Sequence, residues 1–521
     1  MNIKIKNILC LSLFAAMLTA CYEDKGNYEY KEKPEITATG FPSSVSVIQN
    51  AEYIELSPSF SSSIEGDINN NPNFEFGCVL WKEAGVISST GLRQMDINED
   101  HNKDVSFFAT VDEGSYIAWY TVTDKRTGVT TNFKIPVKVA SATYEGWMVL
   151  CDDNEGYATM DLIATLSGGR TITVHNTLGA NAPRLRGAVS LYLDPWPMYA
   201  KGDMLWYCTK EGSYSLNASK LTSLYNVVEN EFIEAPAGEQ IVKMDGLYKS
   251  ENFAISDKGN LYVKISWKSG SMYENAINTY TPDGKPEFTV APFIGVSYNR
   301  PLAQGEFVAL FYDKDNKQFV KWDEASDQTM CQRLEDPENK LFSFKTGMDI
   351  VAMQNTKFSG GVVYSVMQDA AGQRYIYGIN LSGGSFEQTL CQPISAPEFS
   401  SATQFAFHSQ YPYMFYEGNE TVHCHHLLTQ ATTQPIQLPG EEITLVKFNP
   451  FMRATANLSD QSEEFLEQQY YLIIGSYKKD ATDGTGGILR FYKFNQSTGT
   501  LTKVKEYDGF GTIRDVVYRE R

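Results

Sequence analysis

The 521-residue chain carries 63 acidic against 44 basic side chains, a formal charge of −19. So acidic a protein lacks the basic face that nucleic-acid recognition needs, and anionic headgroups repel it. Its length accommodates two or three domains.

Met1–Asn7 holds Lys4 and Lys6 and no acid, and Ile8–Leu18 is an apolar run too short to span a bilayer. Leu18-Thr19-Ala20-Cys21 follows. Small residues directly before a Cys resemble the lipobox of bacterial lipoproteins, which implies cleavage after residue 20 and a lipid on Cys21. The alternative is an ordinary secretory signal with a chance Cys. Losing residues 1–20 removes Lys4 and Lys6 and takes the charge from −19 to −21. No other segment approaches the ~18 apolar residues of a membrane helix, so the expected state is anchored and not spanning. Of the eight cysteines, Cys10 lies in the signal and Cys21 takes the lipid. The other six are widely spaced with no CxxC, which argues against a metal ribbon or redox motif; 15 pairings are open, and burial as small apolar residues is the simplest expectation.

Residues 21–33, with the polar run Tyr22–Lys33, read as a tether. Glu23 and Asp24 resemble the surface-export signal of Bacteroides-group lipoproteins, or serve as plain spacer. From Pro34 to Ala140 short strands alternate with turns. Ser44–Val47 alternates polar and apolar residues, Phe74–Trp81 reads as a core strand with a buried Trp, and Tyr116–Asp124 follows Gly114. Phe133–Val139 closes the set. A core Trp, a Gly-x-Tyr entry to a late strand and about 110 residues fit an immunoglobulin-like sandwich. Gly114–Gly128 (GSYIAWYTVTDKRTG) resembles the late strand of PKD-type domains.

Residues 144–521 repeat a hairpin with a polar turn about every 55 residues, the signature of a radial array. The seven copies begin at Trp147, Met204, Asn252, Phe307, Val362, Tyr411 and Tyr470. Seven hairpins at that period predict a seven-bladed β-propeller. Six have a leading strand, at 188–193, 241–248, 293–298, 349–354, 403–408 and 443–448. The first has none. Its missing leader is Thr512–Tyr518, far along the chain, which is predicted to complete the first blade and remove two exposed sheet edges. The expected fold is therefore all-β, a sandwich followed by a propeller closed by its C-terminal strand.

The chain contains no HExxH, GxSxG or Walker loop. Ser476–Lys479 matches SxxK, but at a hairpin turn and not on a helix, and Gly484–Gly487 lies inside a hairpin rather than between strand and helix. His423-Cys424-His425-His426 puts His423 and His425 on one strand face, enough for a metal if a neighbouring blade adds a ligand; an outer-strand polar patch is the simpler expectation. Acidic runs at Asp152–Gly156, Asp313–Asn316 and Asp480–Asp483 fit turn geometry, leaving calcium as the one cofactor in prospect. With 31 Tyr and 29 Phe, aromatic platforms for sugar rings or peptide side chains are available, although most must wedge between blades. Three loops stand outside the strand pattern and supply the candidate ligand-binding residues. These are Trp196 and Tyr199 in a Pro-braced loop, Arg184 and Arg186 in NAPRLR, and Asn299 with Arg300. Channel-lining leaders offer Asp245, Asp349, His408 and Asp515 as ionisable groups.

The start Cys-Tyr-Glu-Asp-Lys-Gly-Asn-Tyr, the PKD-like stretch and a C-terminal ring together resemble PKD-like family lipoproteins of Bacteroides-group bacteria. That resemblance implies an accessory lipoprotein at the outer membrane, on the cell surface, beside a TonB-dependent transporter of SusC type and its SusD-type partner. It implies capture of a glycan or peptide nutrient and supplies no catalytic residues. A propeller enzyme of glycosidase, lyase or lactonase type is the alternative.

Overall fold

The computed structural model describes residues 34–49, 52–82, 87, 93–140, 146–165, 171–178, 182–194, 204–217, 221–246, 251–265, 272–282, 285–298, 307–451 and 463–519. They form two compact units, one of residues up to Ser46 with Glu52–Lys138, the other of Val47–Ala51 and the chain from Val139 onward.

The first unit is a β-sandwich. A five-stranded sheet runs in the order Val45–Ile48, Val129–Ala140, Gly114–Asp124, Phe74–Lys82, Gln94–Asp96. Against it lie Ile36–Thr39, Ser59–Ser62 and Gly66–Asp67 in one sheet and the pair Tyr53–Leu56 and Val105–Phe108 in another. Period-two alternation sends Phe76, Cys78, Leu80, Ala118, Tyr120 and Val122 inward, where Phe60 meets Phe76 at 5.3 Å and Tyr120 at 5.4 Å between ring centroids. The Gly-x-Tyr entry behaves as expected of such folds: the Tyr116 hydroxyl donates to the Asp112 carbonyl at 2.5 Å, tying the strand start to the chain just upstream. Trp81 departs from expectation. It is two residues past Val79 on a strand whose buried set is Phe74, Phe76, Cys78 and Leu80, so the same alternation turns it to the outward face, where it is only half-buried.

The second unit is a seven-bladed β-propeller. Six blades have four antiparallel strands and the third has three among the described residues. Each begins at the channel with one of the expected leaders: Ala188–Asp194, Ile241–Gly246, Gly295–Val296, Asp349–Asn355, Phe405–Phe407 and Glu441–Lys447. Thr512–Arg519 takes the innermost place in the first blade, pairing with Gly146–Asp152 from Gly146 opposite Arg519 to Asp152 opposite Thr512. Central strands are buried on both faces, and alternation divides their side chains between neighbours. Met148 and Leu150 pack toward the second blade, while Trp147, Val149 and Cys151 pack toward the seventh. Seven such apolar clusters link each blade to the next, and the last joins the seventh to the first. At that seam Trp147 lies 4.7 Å from Phe491 and 4.9 Å from Tyr518, contacts contributing about 0.5–1.5 kcal/mol each beyond burial.

Hairpin turns account for the acidic runs. Asp153 Oδ1 accepts from the Glu155 and Tyr157 amides, and Asp369 Oδ1 repeats this with Ala371 and Gln373. In both turns the Gly three residues on, Gly156 or Gly372, has φ near +80° (+81° and +84°), a conformation other residues resist.

Candidate functional site: the propeller channel

The innermost strands enclose a cavity of about 490 Å³ lined by residues from all seven blades. A recurrent irregularity sets what faces it. In five blades one residue near the start of the inner strand has no partner across the ladder: Arg514, Val189, Val242, Val351 and Thr444. Such bulges bend a strand and re-aim its side chains. Three of the five, Arg514, Val189 and Val242, line the cavity together with the residue that follows each.

Polar groups in the channel stitch blades together. Asp515 accepts from Lys447 Nζ of the seventh blade at 2.5 Å and from the Leu191 amide of the second at 2.8 Å. Asn355 of the fifth blade accepts from the Val296 amide of the fourth, and Gln354 accepts from the Phe407 amide of the sixth. Asp245 of the third accepts from Tyr298 Oη at 3.1 Å and Asn355 Nδ2 at 3.2 Å. Burial raises the Asp245 carboxyl above its ordinary value, outweighing the charge of nearby Lys243. Burial likewise pushes the Tyr192 and Tyr298 phenols well up, so both stay neutral donors.

Of the four ionisable residues expected in the channel, two reach the cavity, Asp245 and Asp515. Asp349 sits at the exposed start of its strand and pairs with Lys317 at 2.9 Å. His408 is buried among Tyr411, Phe448 and Phe494, which holds its imidazole down at about 4. Lys243 and Lys447 escaped a reading that counted acids and histidines alone.

Arg184 and Arg186 converge on one ring. Their guanidinium carbons stand 4.0 and 4.3 Å from the Tyr157 centroid. Arg184 pairs with Glu155 at 3.1 Å, and Arg186 donates to the Glu155 carbonyl and to Tyr157 Oη. They lie outside the cavity lining, at the hairpin-turn end of the first blade. Trp196, Tyr199, Asn299, Arg300 and Cys21 lie outside the described residues. In the histidine cluster, His423 Nε2 contacts Glu398 at 2.8 Å with its ring on Tyr416, while His425 Nδ1 meets Thr432. Among the described residues no three His, Cys, Asp or Glu side chains converge as a metal site would require. Cys78, Cys151, Cys208, Cys331 and Cys424 are buried free thiols and Cys391 is exposed.

A sequence model of the PKD-like family matches residues 21–178. The match covers the sandwich and runs into the first blade. No curated protein sequence matches the chain. Among solved structures, a quinonprotein alcohol dehydrogenase-like protein from Bacteroides thetaiotaomicron is similar at 11% identity and TM-score 0.40, over 94% of this chain and 100% of that one. A putative 6-phosphogluconolactonase from Bacteroides fragilis aligns at 12% identity and TM-score 0.42, covering 72% and 98%. The β-propeller domain of Swd1 from Myceliophteria thermophila aligns at 10% identity and TM-score 0.38, covering 67% and 98%. No helix among the described residues is long and apolar enough to cross a membrane.

Proposed function

We propose that this protein is a lipid-anchored, surface-exposed outer-membrane lipoprotein that captures a glycan or peptide nutrient in its propeller channel, as an accessory of a TonB-dependent uptake system. The observation that carries the reading is the channel itself, a cavity of about 490 Å³ in which amide, carboxylate, ammonium and phenol groups stand among Phe293, Phe405 and Met353. Such a mixture of flat apolar surface and few placed polar groups suits ligand binding. Asp245 and Asp515 there are engaged by protein donors, an arrangement that favours holding a ligand over acid–base chemistry at those two groups. The leader supports the anchoring, and the PKD-like match begins at Cys21, the residue that lipobox cleavage would make the first of the mature chain. Trp196 and Tyr199 extend the proposal to the loop after the second inner strand, with Arg184, Arg186, Asn299 and Arg300 as polar contacts.

A glycan and peptide array probed with wild type, Val242→Trp and Trp196→Ala tests it. Val242 faces the cavity, so an indole there fills the channel and should abolish binding while the melting temperature holds. Binding that survives Val242→Trp but falls with Trp196→Ala places the ligand on the loop. No binding by wild type to any glycan or peptide overturns the reading.

A further inference from the structure

Among the described residues three cations line the channel cavity: Arg514, Lys447 and Lys243. Two are neutralised within the protein, Arg514 by Asp152 at 2.8 Å and Lys447 by Asp515 at 2.5 Å. Lys243 differs. Its side chain is half-buried and, among the described residues, makes no hydrogen bond or close ion pair, its charge reaching Asp245 only at longer range. Its nearest carboxylate in sequence, Asp245, instead accepts from its neighbour's amide at Gly246, from Tyr298 and from Asn355. Withdrawing an ammonium from water without a partner is unfavourable, and a fold that already pairs its other two channel cations has the means to avoid it. A ligand anion would supply the direct contact that Asp245 does not make.

We propose that Lys243 is the carboxylate-recognition residue of the channel and that the ligand is an acidic sugar, a uronate-type unit whose carboxylate meets the Lys243 ammonium. This deepens the binding reading above and rests on it. The rest of the lining matches a polyhydroxylated carrier. Asp245 keeps acceptor capacity for a hydroxyl, Gln354 keeps one amide hydrogen beyond the one it gives to the Phe405 carbonyl, and Tyr192 and Phe405 add flat surface nearby. A peptide carboxyl terminus shares the anion but brings apolar side chains and an amide backbone, for which this set of hydroxyl-matching groups is a poorer fit. The high acidity of the molecule as a whole sets a barrier to anions in bulk, so recognition must come from the local cation and not from long-range attraction.

The test uses the mature chain and pairs of oligosaccharides that differ at one group: oligouronides, and the same oligosaccharides with each carboxyl reduced to the alcohol. Calorimetric titration should show wild type preferring the acid form by about tenfold or more, as a charged hydrogen bond implies. Lys243→Met should erase the preference while leaving affinity for the reduced sugar within about twofold, and Lys243→Arg should restore much of it. Thermal melts of both variants establish that the propeller is intact. Equal affinity of wild type for acid and reduced forms overturns the proposal and leaves the binding reading standing, as does a preference that persists in Lys243→Met. A C-terminal carboxylate peptide that competes better than the oligouronide also overturns it. Absence of binding to sugars of either kind and to peptides removes both the proposal and the reading beneath it.

Discussion

Asp515 concentrates in one carboxylate what holds the channel together. It receives the Lys447 ammonium, the Leu191 amide and the Val516 amide, joining the seventh, first and second blades. Asp515→Ala leaves Lys447 half-buried and strands two backbone donors, so a loss of about 3–5 kcal/mol is expected in a urea titration. Asp349→Ala, which removes the exposed partner of Lys317, should change stability by less than about 1 kcal/mol. Equal effects would show the channel network to be energetically idle. The histidines set a pH dependence. Burial holds His408 and His425 down at about 4, so both are neutral in the fold. Unfolding takes up their protons once the pH is below the ordinary 6.5. Stability is therefore fully present above that value and is lost as the pH falls toward about 4, by up to about 3 kcal/mol for each ring. Urea midpoints measured from about pH 7 to 4.5 should fall, and His408→Asn should flatten the slope. Residue roles of this kind were the least legible part of the sequence. Trp81 reads as core because it is a Trp in an apolar strand, and only the parity of its position turns it outward. Lys447 and Lys243 gain meaning from which blade faces them, which no local pattern records.

At the scale of elements, the repeated hairpins were readable because their turns are polar, two of them with an Asp that caps two amides and a Gly at positive φ. The inner strands were readable as apolar runs of fixed phase before each hairpin. The bulges were not, since a bulge exists only relative to the strand opposite. The strand Thr512–Arg519 was inferred from one blade lacking a leader, and its ladder with Gly146–Asp152 bears that out. Deleting residues 511–521 should therefore act globally. It removes Ile513, Val516 and Tyr518 from the seam cluster and bares the edge of Gly146–Asp152. A fall in melting temperature of well over 10 °C, with new dye binding to exposed apolar surface, is expected; a shift of a degree or two would show that the seam closes without this strand.

At the scale of the propeller, the seven clusters make the ring a closed circuit in which, among the described residues, every blade packs apolar side chains against both neighbours. Opening at any one seam exposes two blades at once, so the propeller should open as a unit rather than fray blade by blade. The cysteines report on this. Burial raises the Cys151, Cys208, Cys331 and Cys424 thiols well above their ordinary value, and each sits within a different inter-blade cluster. A thiol reagent should modify Cys391 in the native protein, while these four react slowly and at one shared rate set by global opening. Four distinct rates would mean that seams open independently. The architecture was legible at this scale because a fixed repeat leaves few ways to bury every blade. The channel lining was not, because it draws on seven separated stretches of chain.

The pairing of Gly146–Asp152 with Thr512–Arg519 also imposes a schedule. A chain emerging N-terminus first exposes its first blade some 360 residues before the strand that completes it is made. At about 5–20 residues per second, that is a wait of roughly 20–70 s. Throughout it, the edge that Thr512–Arg519 will cover and the apolar seam face of Trp147 and Val149 stand open to any other strand in reach. A protein of this design depends on being kept apart from its copies during that interval, and its yield should respond to the rate of synthesis and to chaperones more steeply than its equilibrium stability alone would suggest.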